Sequence, residues 1–572
     1  MKHYILLYIL GSIFFITSCS DGLDIYPPDK VTVENYWKTA DDALRAVNAT
    51  YQFTFPELDT YGCDLFFLET ASDNAYPQFT NQFGNFQQIA LNAFESNHPA
   101  LQELWSRRYN CIRRCADFLV NIDKVDMDST LKRRYTGEVL FQRAYAYYYL
   151  IAQWGDVPWI SHPLTIQEAS KIKCTNKYAI AKQIIKDLDY AAASLPSSYT
   201  GADDGRATKW AAFALKSRIC LFMAGDYRKP FDDQQWYWEQ ARDATDSIIL
   251  KSGKVLYTPN NQLSGESYRK LFYDNNASTG NGEVIYDSQF TNAERALYGF
   301  TVKIACISDG GWNSWVPTQS MIDAYEVKVS STEAYPISDP LSGYDPNNPY
   351  KNRDPRLAAS VYYTGPGGTT LAGLAFDSQP GSTSGDKMDQ HNGTPTGYGW
   401  KKYVDPSAMG TWDTGRDFPL IRLAEVYLNA AEVRNELASS PATDPKIRNY
   451  SGMSRWRVGM PDIPNGLSKD EMRQRIRNER RVELAFEGAR FFDIRRWGIA
   501  EEVLNMNDGW IIGMKLTNNP SGYQVVTGGD WDGHIMVRQR SKFTAQQYVW
   551  PIPSREIELN PNLAAAPLTD IE

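Results

Sequence analysis

Apolar residues recur at three- and four-residue spacing over two long stretches of this chain and lose that rhythm between them. The 3.6-residue period marks helices with one buried face. Residues 31–54 carry it, with Thr39 placed to cap a first turn holding Asp41 and Asp42, and Ala43, Ala46 and Val47 on one side. LKRRYTGEVLFQRAYAYYYLIAQWGDVPW, 131–159, aligns Leu140, Ala144, Tyr147, Tyr148 and Ile151, and Gly155 and Pro158 end it. A pair follows at 207–227 and 236–250. Ala214, Leu215, Ile219 and Leu221 lie on the first member and Ala241 and Ala244 on the second, small enough for close helix crossing. Helix–turn–helix units with small residues at the crossing are the tetratricopeptide pattern, here irregular.

Between 252 and 415 Gly, Asn, Ser, Pro and Asp dominate, with scattered Trp and Tyr. Short strands are predicted at 283–290 and 357–363, and a short helix near 317–326. A loop-rich insertion of this size in a helical body is usually functional. Helical spacing returns at 416–497. One helix is predicted to begin at Pro419, and Ser468 with Glu471 makes a capping box for the next. The tail, 498–572, reads as loop. The pattern predicts a mainly α fold: a tetratricopeptide-like helical-hairpin scaffold with a large loop-rich ligand-binding insertion and a few short strands.

The first residues read as an export signal. Lys2 is followed by an apolar run from Tyr4 to Ile16, shorter than the roughly 20 residues a spanning helix needs. Ile16-Thr17-Ser18-Cys19 resembles a bacterial lipobox, in which the cysteine is acylated and becomes the first residue. A lipid anchors without spanning. The predicted organisation is a signal peptide at 1–18, a lipid-anchored tether at 19–30 and a helical scaffold at 31–251. The loop-rich ligand region at 252–415 and the C-terminal helices and tail at 416–572 complete the body.

Removing residues 1–18 loses one lysine and no acid, so the net charge moves from −9 to −10. That balance argues against nucleic acid, whose phosphates favour a basic face. Cys63, Cys111, Cys115, Cys174, Cys220 and Cys306 match no zinc spacing, and buried free thiols are the expected state. DNNASTGNGE, 274–283, lacks the Gly and Glu positions of a calcium loop and reads as a turn into a strand. No metal site, cofactor or catalytic motif is predicted. Glu479 and Glu483 fall on the apolar face of an arginine-rich helix. Buried carboxylates there must be paired, so they are expected to hold the fold and do no chemistry.

ETASDNAYPQF (69–79) and ISDGGWNSWVPT (307–318) place aromatic rings beside amides and carboxylates. Such rings suit sugars, which stack their apolar faces while their hydroxyls hydrogen-bond. The predicted platform is Asp73, Asn74, Tyr76, Trp312 and Trp315, with Tyr298 and Trp400 as neighbours.

Several segments together resemble the SusD/RagB outer-membrane lipoproteins. They are LDIYPPDKVTVENYW (23–37), RAYAYYYLIAQWGDVPW (143–159), RATKWAAFALKSRICL (206–221), NRDPRL (352–357), FPLIRLAEVYLNAAEV (418–433), IRNERRVELAFEGARFFDIRRW (476–497) and YVWPIPSREIELNPNL (548–563). The resemblance implies a non-catalytic, lipid-anchored glycan-binding protein facing the cell exterior, partnered with a SusC-like TonB-dependent transporter. Peptide uptake of the same type, or a surface glycoside hydrolase, are the alternatives.

Cys19→Ala is expected to release the protein from the membrane fraction or stall its processing. Membrane association with lipid still attached in that variant, read by fractionation and mass spectrometry, would exclude the lipobox reading.

Overall fold

The computed structural model describes residues 36–54, 64–80, 85–225, 233–274, 282–291, 299–409 and 415–570. Cys19, Cys63, Tyr298 and most of the 274–283 turn lie outside them.

The first helix, α1 (Ala40–Thr54), starts where Thr39 and Asp42 exchange hydrogen bonds, Asp42 N–H donating to Thr39 Oγ1 at 3.3 Å. A short α2 (Asp64–Thr70) is wholly buried. The scaffold continues through α3 (Pro99–Asn121), α4 (Ser129–Trp154), α5 (Lys177–Ser194), α6 (Lys209–Ala224) and α7 (Gln234–Lys251). Successive helices pack on one another: α3 on α4, α4 on α5, α5 on α6, and α6 on α7. Ala211, Ala212, Ala214, Ala241 and Ala244 are buried, so small residues do line the helix crossings. Gly155, at φ 76°, terminates α4 with a backbone conformation that favours glycine.

The loop-rich region holds short elements. β1 (Ala75–Pro77) lies between α2 and α3, and β2 (Val284–Ser288), β3 (Trp315–Pro317), α8 (Gln319–Asp323), β4 (Val361–Tyr362) and β5 (Gly399–Trp400) follow the scaffold. The predicted strand at 357–363 is mostly helix: Pro355–Ser360 forms a turn and a half. Asp354 caps it by accepting from Arg356 N–H at 2.9 Å, and Pro355 stands in the favoured first turn.

Three further expectations need correction. Pro419 does not open a helix. It lies in β6 (Phe418–Arg422), which pairs antiparallel with β2, and α9 (Leu423–Leu437) begins after the strand. The arginine-rich helix is broken. After α10 (Lys446–Arg457), α11 (Lys469–Glu483) ends in a turn where Phe486 (φ 67°) and Gly488 (φ 77°) are left-handed, before α12 (Ala489–Arg496). The tail is not loop alone, because β7 (Trp510–Lys515) and β8 (His534–Gln539) form a hairpin. Ser468 and Glu471 form the predicted capping box.

Phe66 of α2 joins loops to scaffold. Its ring centroid lies 4.7 Å from Trp400, 5.5 Å from Trp315, 5.3 Å from Phe300 and 5.1 Å from Tyr403. The five cysteines described are free and buried. Among the described residues no helix is long and apolar enough to cross a membrane.

Glu479 and Glu483 are buried and paired, as their place among arginines requires. Arg356 Nη1 reaches Glu479 at 2.6 Å and Glu483 at 2.9 Å, and Arg422 Nη1 reaches Glu483 at 2.6 Å. Arg457 completes the shell of Glu483. Burial disfavours the charge of Glu483, but the three guanidiniums outweigh it and hold its carboxyl well below the ordinary range. Glu483→Ala leaves three buried cations short of a partner and is expected to cost ~3–5 kcal/mol. Chemical denaturation should register that loss, and an unchanged midpoint would contradict the pairing.

Candidate functional site

The two segments singled out from sequence meet in space. β1 and β3 pair antiparallel, with Ala75 opposite Pro317, Tyr76 opposite Val316 and Pro77 opposite Trp315. The pairing turns most of their side chains inward. Asp73 is 3% exposed and accepts from Arg490 at 2.8 and 2.9 Å, with Arg481 at 2.9 Å. Burial opposes its charge, but Arg481 and Arg490 prevail and keep the carboxyl ionised far below the ordinary range. Asn74 is buried, donating to Glu69 (2.7 Å) and accepting from Arg481 (2.8 Å). The Tyr76 hydroxyl accepts from Gln87 at 2.8 Å, and its ring packs with Leu91, Val316 and Ile511.

Trp315 and Trp400, at 1% and 0% exposure, are core residues against Phe66. Their ring faces are covered, so they offer no platform. The physical reason is area: a buried indole gains more from packing than from a half-wet surface. Of the predicted residues within the described chain, Trp312 alone is partly exposed.

Trp312 is held by its backbone. Its N–H donates to Val302 O at 2.8 Å, and its carbonyl accepts from Gln78 Nε2 at 3.1 Å. The loop that carries it is clamped on both sides. Asp309 accepts from the Tyr362 hydroxyl (2.8 Å) and from the N–H groups of Leu371 (2.7 Å) and Ala372 (3.0 Å). Asp386 accepts from Ser308 N–H (2.9 Å) and Oγ (2.5 Å). Asn313 Nδ2 donates to Asn392 O at 3.0 Å, and both asparagines are left-handed, at φ 50° and 62°. The result is an indole on a fixed loop, with Gln78 bonded to its carbonyl and Ser308 and Asn392 among the contacts that pin the loop, all three partly exposed. Sequence reading passed over these three. Gln78 lies inside the stretch already quoted, and His391-Asn392-Gly393 carries the Asn-Gly signal of a tight turn.

Behind this face Glu69 holds the left-handed turn after α11. Its carboxylate accepts from Phe486 N–H at 3.0 Å and Gly488 N–H at 2.9 Å. Burial pushes its pKa up to about 7, against the lowering effect of Asn74 and the two backbone donors. Among the described residues no cluster of His, Cys, Asp or Glu could hold a metal ion.

The sequence matches the SusD family profile over residues 266–568. The chain belongs to the SusD family. A second profile, described as "Starch-binding associating with outer membrane", matches residues 55–221. Among curated proteins, a SusD-like protein P25 of Formosa agariphila is 24% identical over 515 residues, covering 86% of this chain and 89% of its own. A SusD-like protein of Bacteroides ovatus is 23% identical over 580 residues, covering 97% and 94%. A solved SusD-like carbohydrate-binding protein of Bacteroides fragilis superposes with a TM-score of 0.78 at 27% identity, covering 92% of this chain and 99% of its own. Another SusD-like protein of that species gives 0.74 at 26%, covering 94% and 99%. The mainly α, tetratricopeptide-like architecture described above is therefore the SusD fold.

In this SusD-family protein Glu69 binds its proton more tightly when folded, because its pKa rises from 4.5 to about 7. Its contribution to stability is therefore greatest below pH 4.5 and is lost as pH climbs toward 7. Glu69→Gln, which cannot ionise, should reduce the fall in stability between those limits. Denaturant titrations across that window with the same slope in both proteins would contradict the assignment.

Proposed function

We propose that this protein captures glycan at the outer-membrane surface and passes it to a SusC-like TonB-dependent transporter, doing no chemistry of its own. The observation that carries the reading is Trp312: a partly exposed indole on a doubly clamped loop, with partly exposed Gln78 bonded to its carbonyl and Ser308 and Asn392 in the contacts that hold the loop. Sugar rings stack on such a face, and amide and hydroxyl groups at its edge take their hydroxyls. Family membership supports it, since one matching profile is described as starch-binding and outer-membrane-associated, and a solved relative is described as carbohydrate-binding. The lipobox at Cys19 supports a lipid anchor. Glu479 and Glu483, two carboxylates one helical turn apart, are occupied by arginines, which argues against acid–base chemistry there.

One stacked ring contributes ~1 kcal/mol, about fivefold in affinity. Calorimetric titration with a glycan the parent binds should show Trp312→Ala weaker by about that factor, at an unchanged melting temperature. Equal binding by the variant would move the platform elsewhere.

A further inference from the structure

The β1–β3 pair has a second end, away from Trp312, and the C-terminal hairpin closes a small cavity there. Its volume is about 20 Å³, and its walls include Asp73, Ser320, Met506, Trp510, Trp531 and Arg540. A void of roughly 10–15 Å³ holds one water, so this one admits one or two small polar atoms and not a sugar ring.

One cation of the wall lacks an ion pair among the described residues. Arg540 is 8% exposed, and its Nε and Nη2 donate to Ala90 O (3.2 Å) and Ser72 O (2.7 Å). Among the described residues its Nη1 has no hydrogen-bond partner, and no carboxylate lies within ion-pair distance of it. Burial lowers its pKa to about 10, with Asp73 and Tyr76 opposing the fall, and it stays charged. Asp73 shares the wall, but Arg490 and Arg481 already occupy it. Arg481 is also attracted by Asp323 and Glu69, and Arg490 by Asp493 and Glu69, so Arg540 is the guanidinium here left without an ion pair among the described residues. Ser320 Oγ accepts from Arg481 Nη2 at 2.9 Å, which leaves its proton to donate.

The rim is apolar. Trp510 and Trp531 are partly exposed, and Met506 is 46% exposed. Trp531 is fixed by its Nε1–H, which donates to Asp323 at 3.0 Å. Gln319 Nε2 donates to the other oxygen of Asp323 at 2.7 Å, so both oxygens of that carboxylate have donors.

We propose that this cavity is a subsite for an acidic sugar, which gives the glycan reading above a substrate class and rests on it. The carboxylate of a uronic acid enters to meet Arg540 Nη1 and the Ser320 hydroxyl, and its ring lies at the indole rim. A carboxylate offers one acceptor oxygen to each of these two donors.

The test titrates the full mature protein in mild detergent with oligogalacturonate, with neutral maltohexaose and with a sulfated oligosaccharide of similar length. Oligogalacturonate is expected to bind about tenfold tighter than the neutral chain, the scale of a charge-assisted hydrogen bond. Arg540→Gln should abolish that preference. Because Arg540 also ties down two carbonyls, Met506→Glu serves as the second variant. It sits exposed at the rim, should leave the melting temperature alone, and should weaken oligogalacturonate binding about tenfold without touching neutral binding. Equal affinity for acidic and neutral chains, tighter binding of the sulfated chain, or indifference to Met506→Glu would each overturn the subsite. If Met506→Glu changes nothing while Trp312→Ala weakens all ligands, the glycan reading survives without it. If no glycan binds the parent protein, the glycan reading itself fails.

Discussion

Glu483 accepts from Arg356, Arg422 and Arg457 at the centre of the molecule, with all four side chains at 2% exposure or less. The cluster spreads from there. Arg356 also binds Glu479 and Asp354, and Arg457 and Arg422 share Glu283. Arg422 and Lys402 hold Glu487, and Arg455 bridges Glu479 to Glu326, which also takes Arg475. Six carboxylates thus face six bases. Each buried ion costs several kcal/mol unless it is paired, so no member can leave without stranding its neighbours. The members come from the loop region (Glu283, Glu326, Asp354, Arg356, Lys402), from β6 (Arg422) and from the C-terminal helices and their turn. The charge cluster therefore fastens an otherwise irregular segment to the helical body.

That fastening decides what the loops can offer a ligand. Strands of two to six residues cannot hold a long insertion by ladder bonds alone, and here they are supplemented by buried charges and by aromatic packing around Phe66. Trp315 and Trp400 are consumed in that packing. Trp312, three residues before Trp315, is left at the surface on a loop pinned by Asp309 and Asp386. A ring so fixed loses little freedom when it meets a ligand, which favours binding without adding contacts. The same economy operates at the hairpin end, where Trp531 is anchored to Asp323.

Helical periodicity carried most of the scaffold. The caps at Thr39 and Ser468 and the stop at Gly155 were legible because each is local chemistry. What was missed is tertiary. Pro419 looks like a helix start until β2 arrives to pair with it from a distant part of the chain. Phe486 looks like one more apolar residue of a continuous helix. Its left-handed backbone is set by Glu69, which captures its N–H from the far end of the sequence. The candidate site suffered in the same way. Aromatic rings beside amides and carboxylates in the 69–79 and 307–318 segments were the reason to suspect a site, and the pairing of those segments is what buried Asp73, Asn74, Tyr76 and Trp315. Sequence shows which residue types suit a sugar; only packing shows which of them still face outward.

Native-state hydrogen exchange of the parent protein tests the central claim, that loops and scaffold form one unit around Glu483. The amides of 315–316, 356–361 and 420–423 should open with the same free energy and denaturant dependence as those of α11. Independent, lower-energy opening of the loop strands while α11 remains protected would contradict it.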